Sequence, residues 1–423
     1  MIIKMRLFYF LVLLLTAFSA KASFVLLPMD ETSQQNHLKA YGITFWCLDK
    51  QYKASWLLNY RGGSFLLPDA PDIRKECQIR GVSFEILSDA EANQILEEIA
   101  SPSQNMETVI LEKAPKIAVY TPKGKQPWDD AVTLVLTYAE IPFTPIYDEE
   151  VLSDGLLLYD WLHLHHEDFT GQYGKFYANY KNTPWYIEQK KDAETLATKL
   201  GYAKVAEEKL AVAKKIRDFV IGGGFMFAMC SATDSFDIAL AAEGIDICEP
   251  MFDGDASKAN YQSKIDYSQS FAFKDYFLER NPNVYEFSDI DMTQKRANIP
   301  MEKDYFTLME FSAKWDPIPS MLCQNHTQLV KGFMGQTTAF DRELVKTNVL
   351  VMGECQLNGE ARYIHGEKGK GMFTFFGGHD PEDFRHQVGD PPTVLDLHPT
   401  SPGYRLILNN VLFPAARKKK QKT

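Results

Sequence analysis

No two of the six cysteines are spaced as CxxC, so the chain lacks the pair that a zinc ribbon or a thioredoxin-like site requires. Beyond its first two dozen positions it has no apolar run of about 20 residues, and a later membrane-spanning helix is therefore excluded. Positive charge is in short supply: 45 Lys and Arg stand against 56 Asp and Glu, a net charge of -11. That balance argues against general nucleic-acid binding. Internal repeats and low-complexity segments are absent. So is a glycine-rich phosphate loop. The run CSATDS, Cys230 to Ser235, ends like the pyrophosphate loop of ATP-dependent asparagine synthesis but has neither of its glycines. Without them a backbone cannot approach phosphate closely, so neither that reaction nor a cofactor is expected.

The first residues do carry a pattern. Lys4 and Arg6 precede an apolar stretch from Leu7 to Phe18, and Ala20-Lys21-Ala22 has the small-x-small spacing of a cleavage site. Residues 1–22 are expected to be a signal peptide, and the mature chain to be periplasmic or secreted, with no stable membrane insertion after cleavage. The even cysteine count permits disulfides in such a compartment, and spacing does not decide their pairing. Residues 417–423 read as a basic tail.

Between these ends the hydrophobic pattern suggests two parts. Residues 23–110 read as a small α/β module. SFVLLPMD is a strand, QQNHLKAYG a helix ending at Gly42, and ITFWCL and ASWLLNY are strands. RGGSFLLPD is turn-rich, and GVSFEIL is a strand leading into the helix SDAEANQILEEIA with Ser88 as N-cap. Residues 111–416 alternate more strongly. KIAVYT is a strand and PWDDAVTLVLTYAE a helix entered at Pro127. FTPIYDEE and GLLLYDWLHLHH are strands, Asp192 to Ile221 is helical, and GGFMFAM is a buried strand. DSFDIALAAEG is a helix and IDICEP a short strand. The alternation predicts a parallel sheet with helices on both faces, and ligands collect beyond the carboxyl ends of such strands.

Two groups of residues at those ends could carry chemistry. Cys230 follows the strand GGFMFAM and precedes a helix, with Ala228 and Ala232 two residues to either side, as in a nucleophile elbow. The backbone N–H of Ser231 would then face an oxyanion, and His379 in GGHDPED would take the proton, oriented by Asp380 or Glu382. A buried, inert thiol is the competing reading. The second group is LHLHHED. In a strand, His163 and His165 share one face, which suits a pair of metal ligands; a hydrogen-bonded polar loop is the alternative.

The segments KKIRDFVIGGGFMFAMCSATDSFDIA and KGKGMFTFFGGHDPED resemble the class I glutamine amidotransferase-like superfamily. With GLLLYDWLHLHHEDFTGQYGKFY and VKGFMGQTTAF, the whole chain resembles a group of secreted bacterial proteins labelled asparagine synthetase B. The resemblance implies a flavodoxin-like sheet over residues 111–416. It also implies a cysteine-nucleophile amidohydrolase or amidotransferase-like site of Cys230, His379, Glu382 and Ser231. The substrate would be a small amide, a peptide or a glycan. Two further readings stay open: a non-catalytic envelope binding module on the same fold, and a metal-dependent hydrolase using His163 and His165.

Overall fold

Strands joined by short connections can only pair antiparallel, whereas parallel neighbours need a crossover of a dozen residues or more. That rule sorts the architecture of this chain. A computed structural model describes residues 22–124, 126–323, 327–385 and 387–416. The expected signal peptide, apart from its last residue, and the basic tail lie outside the described residues.

The first sheet holds β1 (Ala22–Leu27), β2 (Ala54–Leu58), β3 (Ser64–Pro68), β4 (Glu85–Ser88) and β5 (Glu107–Leu111) in the order β4-β1-β3-β2-β5. Every pair in it is antiparallel. Helices α1 (His37–Asp49), α2 (Pro71–Arg80) and α3 (Asp89–Ala100) accompany it. Ser88 and Glu91 form a reciprocal capping box at the start of α3.

The second sheet has ten strands: β6 (Ile117–Tyr120), β7 (Thr144–Ile146), β8 (Trp161–Leu164), β9 (Phe225–Met229), β10 (Tyr305–Leu308), β11 (Leu329–Lys331), β12 (Phe340–Asp341), β13 (Leu350–Cys355), β14 (Glu360–Lys368) and β15 (Gly371–Phe376). Its path is β11-β10-β13-β14-β15-β9-β8-β6-β7, with β12 beside β14. Only β7, β6, β8, β9 and β15 run parallel. Among them come the helices α4 (Ala131–Tyr138), α5 (Pro184–Lys199), α6 (Val205–Gly222) and α7 (Ala232–Ala241); α8 (Pro402–Leu412) follows the last strand, and shorter helices are left unnumbered.

The expected flavodoxin-like parallel sheet is therefore corrected to a mixed one. From β13 onward the connections are too short for a crossover helix. β14 turns into β15 through Gly369 and Lys370 alone, with Lys368 paired to Gly371. The pairs β13–β14 and β14–β15 are consequently antiparallel, and β10 pairs antiparallel with both β11 and β13 across longer connections.

Two local readings also change. The helix α1 does not stop at Gly42 but continues through ITFWCL to Asp49. This helix is buried on nearly every side, so its apolar run has no polar stripe and reads like a core strand. IDICEP forms no strand. Among the described residues, no helix is long and apolar enough to cross a membrane.

One hydrophobic cluster runs from Val25, Trp56 and Phe65 of the first sheet to Ile117, Phe227, Met229 and Phe376 of the second. Helices α1, α4 and α8 pack on one another within it. The tightest point of that contact is Gly42. A Cβ built there would stand 1.8 Å from the carbonyl oxygen of Ala139, just past the end of α4. Gly42→Ala is therefore expected to destabilise the protein by about 1–3 kcal/mol, even though alanine is intrinsically the better helix former by about 1 kcal/mol. Urea unfolding checks this, and an unchanged or raised midpoint would show that the crossing can open.

Candidate histidine–aspartate site

The carboxyl ends of β6, β8, β9 and β15 deliver four short segments to one edge of the sheet. After β6 the chain runs through Trp128-Asp129-Asp130 into α4. The expected helix start at Pro127 is thus displaced: Asp130 is the N-cap, its carboxylate accepting the N–H of Val132 and Thr133. That leaves Asp129 and Asp130 outside the helix and turned toward the end of β8.

There they meet the histidines. His163 lies on β8 and is fully buried, and His165 and His166 follow directly. His163 Nδ1 stands 3.2 Å from the carbonyl oxygen of Phe227, and its Nε2 3.0 Å from Asp130 Oδ2. Both neighbours are hydrogen-bond acceptors, so each nitrogen of this ring is already engaged by protein. On the same face, as the strand period requires, His165 Nδ1 lies 3.2 Å from Asp130 Oδ1. That approach does not make a hydrogen bond, and neither ring nitrogen of His165 has a hydrogen-bond partner, although the residue is only 2% exposed. His166 donates Nε2–H to the carbonyl of Asp129 at 3.1 Å.

The fourth imidazole arrives from β15. Gly377 and Gly378 carry the chain past Thr338 and Phe333. A Cβ at Gly378, where φ is +98°, would sit 2.3 Å from the Phe333 ring, so both backbone and space require glycine. His379 then lies with Nε2 3.2 Å from Asp129 Oδ1. The rings of His165 and His166 stack at 4.0 Å, and His379 stands 4.8 and 4.3 Å from them. Burial would raise Asp130, but the imidazoles of His163 and His165 hold it well below the usual carboxylate range. Burial, with His165 and His379 beside it, keeps His166 well below the ordinary histidine value and so neutral near pH 7.

His166 also lines a cavity of 480 Å³, together with Trp128, Glu167, Tyr173, Trp185 and Lys209. The cavity opens where β6 and β8 diverge, since β7 lies on one side of β6 and β8 on the other. This switch in chain direction is where ligands gather in parallel sheets. Its floor is charged. Lys209 pairs with Asp148 at 2.8 Å and donates to Tyr147 Oη at 3.0 Å. Burial would lower this ammonium, but Asp148 holds it well above its ordinary range. Burial pushes Glu167 up to about 8.

The cysteine site is arranged differently from a reactive elbow. Cys230 does sit on a left-handed turn between β9 and α7, with φ at +54°, a conformation that costs a non-glycine residue about 1–3 kcal/mol. Its neighbours on β15 bring His379 to the same edge, Phe376 pairing with Met229. Yet the sulfur is 2% exposed and receives the backbone N–H of Ser231 and Gln336. Burial pushes the thiol up to about 12, and the carboxyl groups of Asp291 and Asp234 add to the rise. The orienting residues are also placed otherwise. Asp380 accepts from Tyr404 Oη at 2.7 Å, and Glu382 pairs with His398 at 3.2 Å, while Asp129 holds His379. Ser231 has a buried hydroxyl with no partner among the described residues.

Of the expected site residues, then, the structure gathers His163, His165 and His379 in one cluster and sets Cys230, Ser231 and Glu382 in other surroundings. The residues that sequence reasoning passed over are Asp129, Asp130 and His166. The signal for the first two was the acid pair directly ahead of the apolar helix AVTLVL, an N-cap pattern.

No family model matches the chain, and no curated protein matches it. Among solved structures it is similar to two cytoplasmic proteins of Salmonella typhimurium. STM3548 is 12% identical, with 72% of this chain and 100% of that one covered and a TM-score of 0.34. STM1381, from strain LT2, is 14% identical, with 71% and 100% covered and a TM-score of 0.34. A GH42 β-galactosidase, Gan42B, is 12% identical over 63% of this chain and 28% of its own, with a TM-score of 0.28. Likenesses this distant carry no argument about function.

Cys355 is the one half-exposed cysteine; the other five are buried. Iodoacetamide at pH 8 should therefore modify Cys355 first in the native protein and reach Cys230 only after unfolding, because a thiol near 12 holds about one part in ten thousand as thiolate at that pH. Peptide mapping checks this. Native modification of Cys230 at the rate of a free thiol would restore the nucleophile reading.

Proposed function

We propose that the protein is a hydrolase of an amide or ester bond, with the histidine–aspartate cluster, not Cys230, as its reacting centre. One observation carries this reading: His166 lines the cavity with its Nε2–H tied to the Asp129 carbonyl, which leaves the Nδ1 lone pair to accept a proton. A water beside that ring gives up its proton as its oxygen bonds to the substrate carbonyl carbon. The C–N or C–O bond then breaks, and the proton passes to the leaving nitrogen or oxygen. The products are a carboxylic acid and an amine or alcohol, with no co-reactant required. The resemblance to proteins labelled asparagine synthetase B supports the same bond class.

The cavity suits a small substrate. Trp128 and Trp185 supply apolar walls, and Lys209 and Glu167 supply polar groups that orient. A panel of nitrophenyl esters, amino-acid nitroanilides, glutamine and asparagine tests the reading by release of chromophore or ammonia. His166→Ala is expected to lower kcat/KM by about 10²–10⁴-fold, the range for loss of a positioned base. Cys230→Ala should stay within about threefold of the wild type. Absence of turnover across the panel, or loss of activity in Cys230→Ala with His166→Ala unaffected, would overturn it.

A further inference from the structure

Three imidazoles at this edge share one feature: each has one ring nitrogen facing an oxygen of the same dipeptide. His165 Nδ1 faces the Asp130 carboxylate, His166 Nε2 the Asp129 carbonyl, and His379 Nε2 the Asp129 carboxylate. Since those oxygens only accept, the facing nitrogens carry the protons. The lone pairs then fall on His165 Nε2, His166 Nδ1 and His379 Nδ1. One ligating atom from each ring lies within 4.8 Å of those of the other two.

We propose that His165, His166 and His379 bind one divalent transition-metal ion, with zinc the expected occupant. This rests on the hydrolase reading and changes one step of it: with His166 Nδ1 on the ion, the metal acidifies the attacking water in place of the imidazole base. Three imidazoles with an open fourth position are the donor set of catalytic zinc sites. Histidine ligands that pass their second N–H to a carboxylate or carbonyl are the usual outer arrangement of such sites. Imidazole nitrogens about a tetrahedral zinc stand roughly 3.3 Å apart at Zn–N distances near 2.0 Å, so His165 and His166, whose rings stack at 4.0 Å, must turn out of that stack on binding.

An independent observation points to an occupant. His165 Nε2 is buried and has no partner, and a polar atom in that state costs free energy unless something binds it. His163 is not counted as a fourth ligand, since both its nitrogens already face protein oxygens, those of Phe227 and Asp130. The fourth position would open toward the cavity that His166 lines.

Away from this cluster, a separate group with metal-ligating residue types differs in this respect. Asp246 and Asp253 lie near Cys248, but the Lys204 ammonium already stands 2.5 and 2.8 Å from the two carboxylates.

The test is metal binding, read apart from turnover. Full-length protein stripped with a chelator is titrated with Co²⁺, followed by its visible absorption, and then with Zn²⁺ in competition. One equivalent is expected, with the intense bands of a four-coordinate cobalt site that zinc abolishes. His165→Ala and His379→Ala should each weaken binding at least tenfold. Asp130→Asn should weaken it about 10–100-fold, the range for an outer-shell partner. His166→Ala, at a half-buried position, serves as a further ligand variant should the buried ones fail to fold, with circular dichroism as the check on folding. No visible band at excess Co²⁺ in the wild type, or wild-type affinity in folded ligand variants, would overturn the proposal. Either result would leave hydrolysis by an imidazole base standing if the panel shows turnover; tight zinc binding without turnover would keep the metal site and remove the hydrolase.

Discussion

The Asp130 carboxylate is the point on which the site depends. It receives the N–H of Val132 and Thr133 at the start of α4, and it faces His163 and His165 from the other side. A buried carboxylate costs several kcal/mol unless its lone pairs are satisfied. Here three donors converge on two oxygens with His165 Nδ1 close by, and the imidazoles hold it well below the usual carboxylate range. The same contacts set geometry. Because the N-cap of α4 is also the clamp on β8, the helix cannot move along the sheet without releasing the histidines. Gly42 seats α1 against the far end of α4, so the first sheet and the histidine cluster are joined through one short helix.

Parallel strands explain why the cluster forms where it does. β8 and β15 lie on either side of β9, and both present their carboxyl ends to one edge. His165 and His166 leave β8 at once, while His379 is set back by Gly377 and Gly378, which allow a passage between Thr338 and Phe333 that no side chain could take. The central strand β9 contributes Cys230 to that edge. Its strained φ marks a sharp strand-to-helix turn, and strain of this kind is often kept for function. In this case its surroundings decide otherwise. Asp234 and Asp291, both pushed up by burial, face the thiol, and neither offers the positive charge that a thiolate needs. The turn is explained by packing: Ala232 N–H bonds the His165 carbonyl, which ties the elbow to the end of β8.

How much of this could be read from the sequence follows from period and context. The strands KIAVYT and GGFMFAM and the Ser88 cap were legible because each carries a local signal that tertiary structure leaves alone. Helix α1 was not, since burial on all sides removes the polar stripe that separates a helix from a core strand. The mixed sheet was not either. Alternation of strand and helix holds from β6 to β9, and extending it to the end of the sheet overlooked the hairpin-length connections of β13, β14 and β15, which force antiparallel pairing. At the site, LHLHHED announced its histidines, and His163 and His165 do share a face, which they turn to one carboxylate, Asp130. Two rings on one face can equally share a carboxylate, and Asp130, some thirty residues earlier, was visible only as a helix cap. His379 was found through its strand end, whereas its partner Asp129 lies about 250 residues away and has no local signature.

Charge balance ties these observations together. A divalent ion held by three neutral imidazoles in a buried place needs compensating negative charge close by. Asp129 and Asp130 supply two carboxylates directly behind the ligands. Such an ion would be matched by these two carboxylates, and lowering the proton affinity of bound water is what a site of this type does in hydrolysis. The Lys209–Asp148 pair on the cavity floor is already internally matched and does not disturb that balance. The acid pair at 129–130 is therefore more charge than a helix cap requires and the amount that a divalent metal site would use.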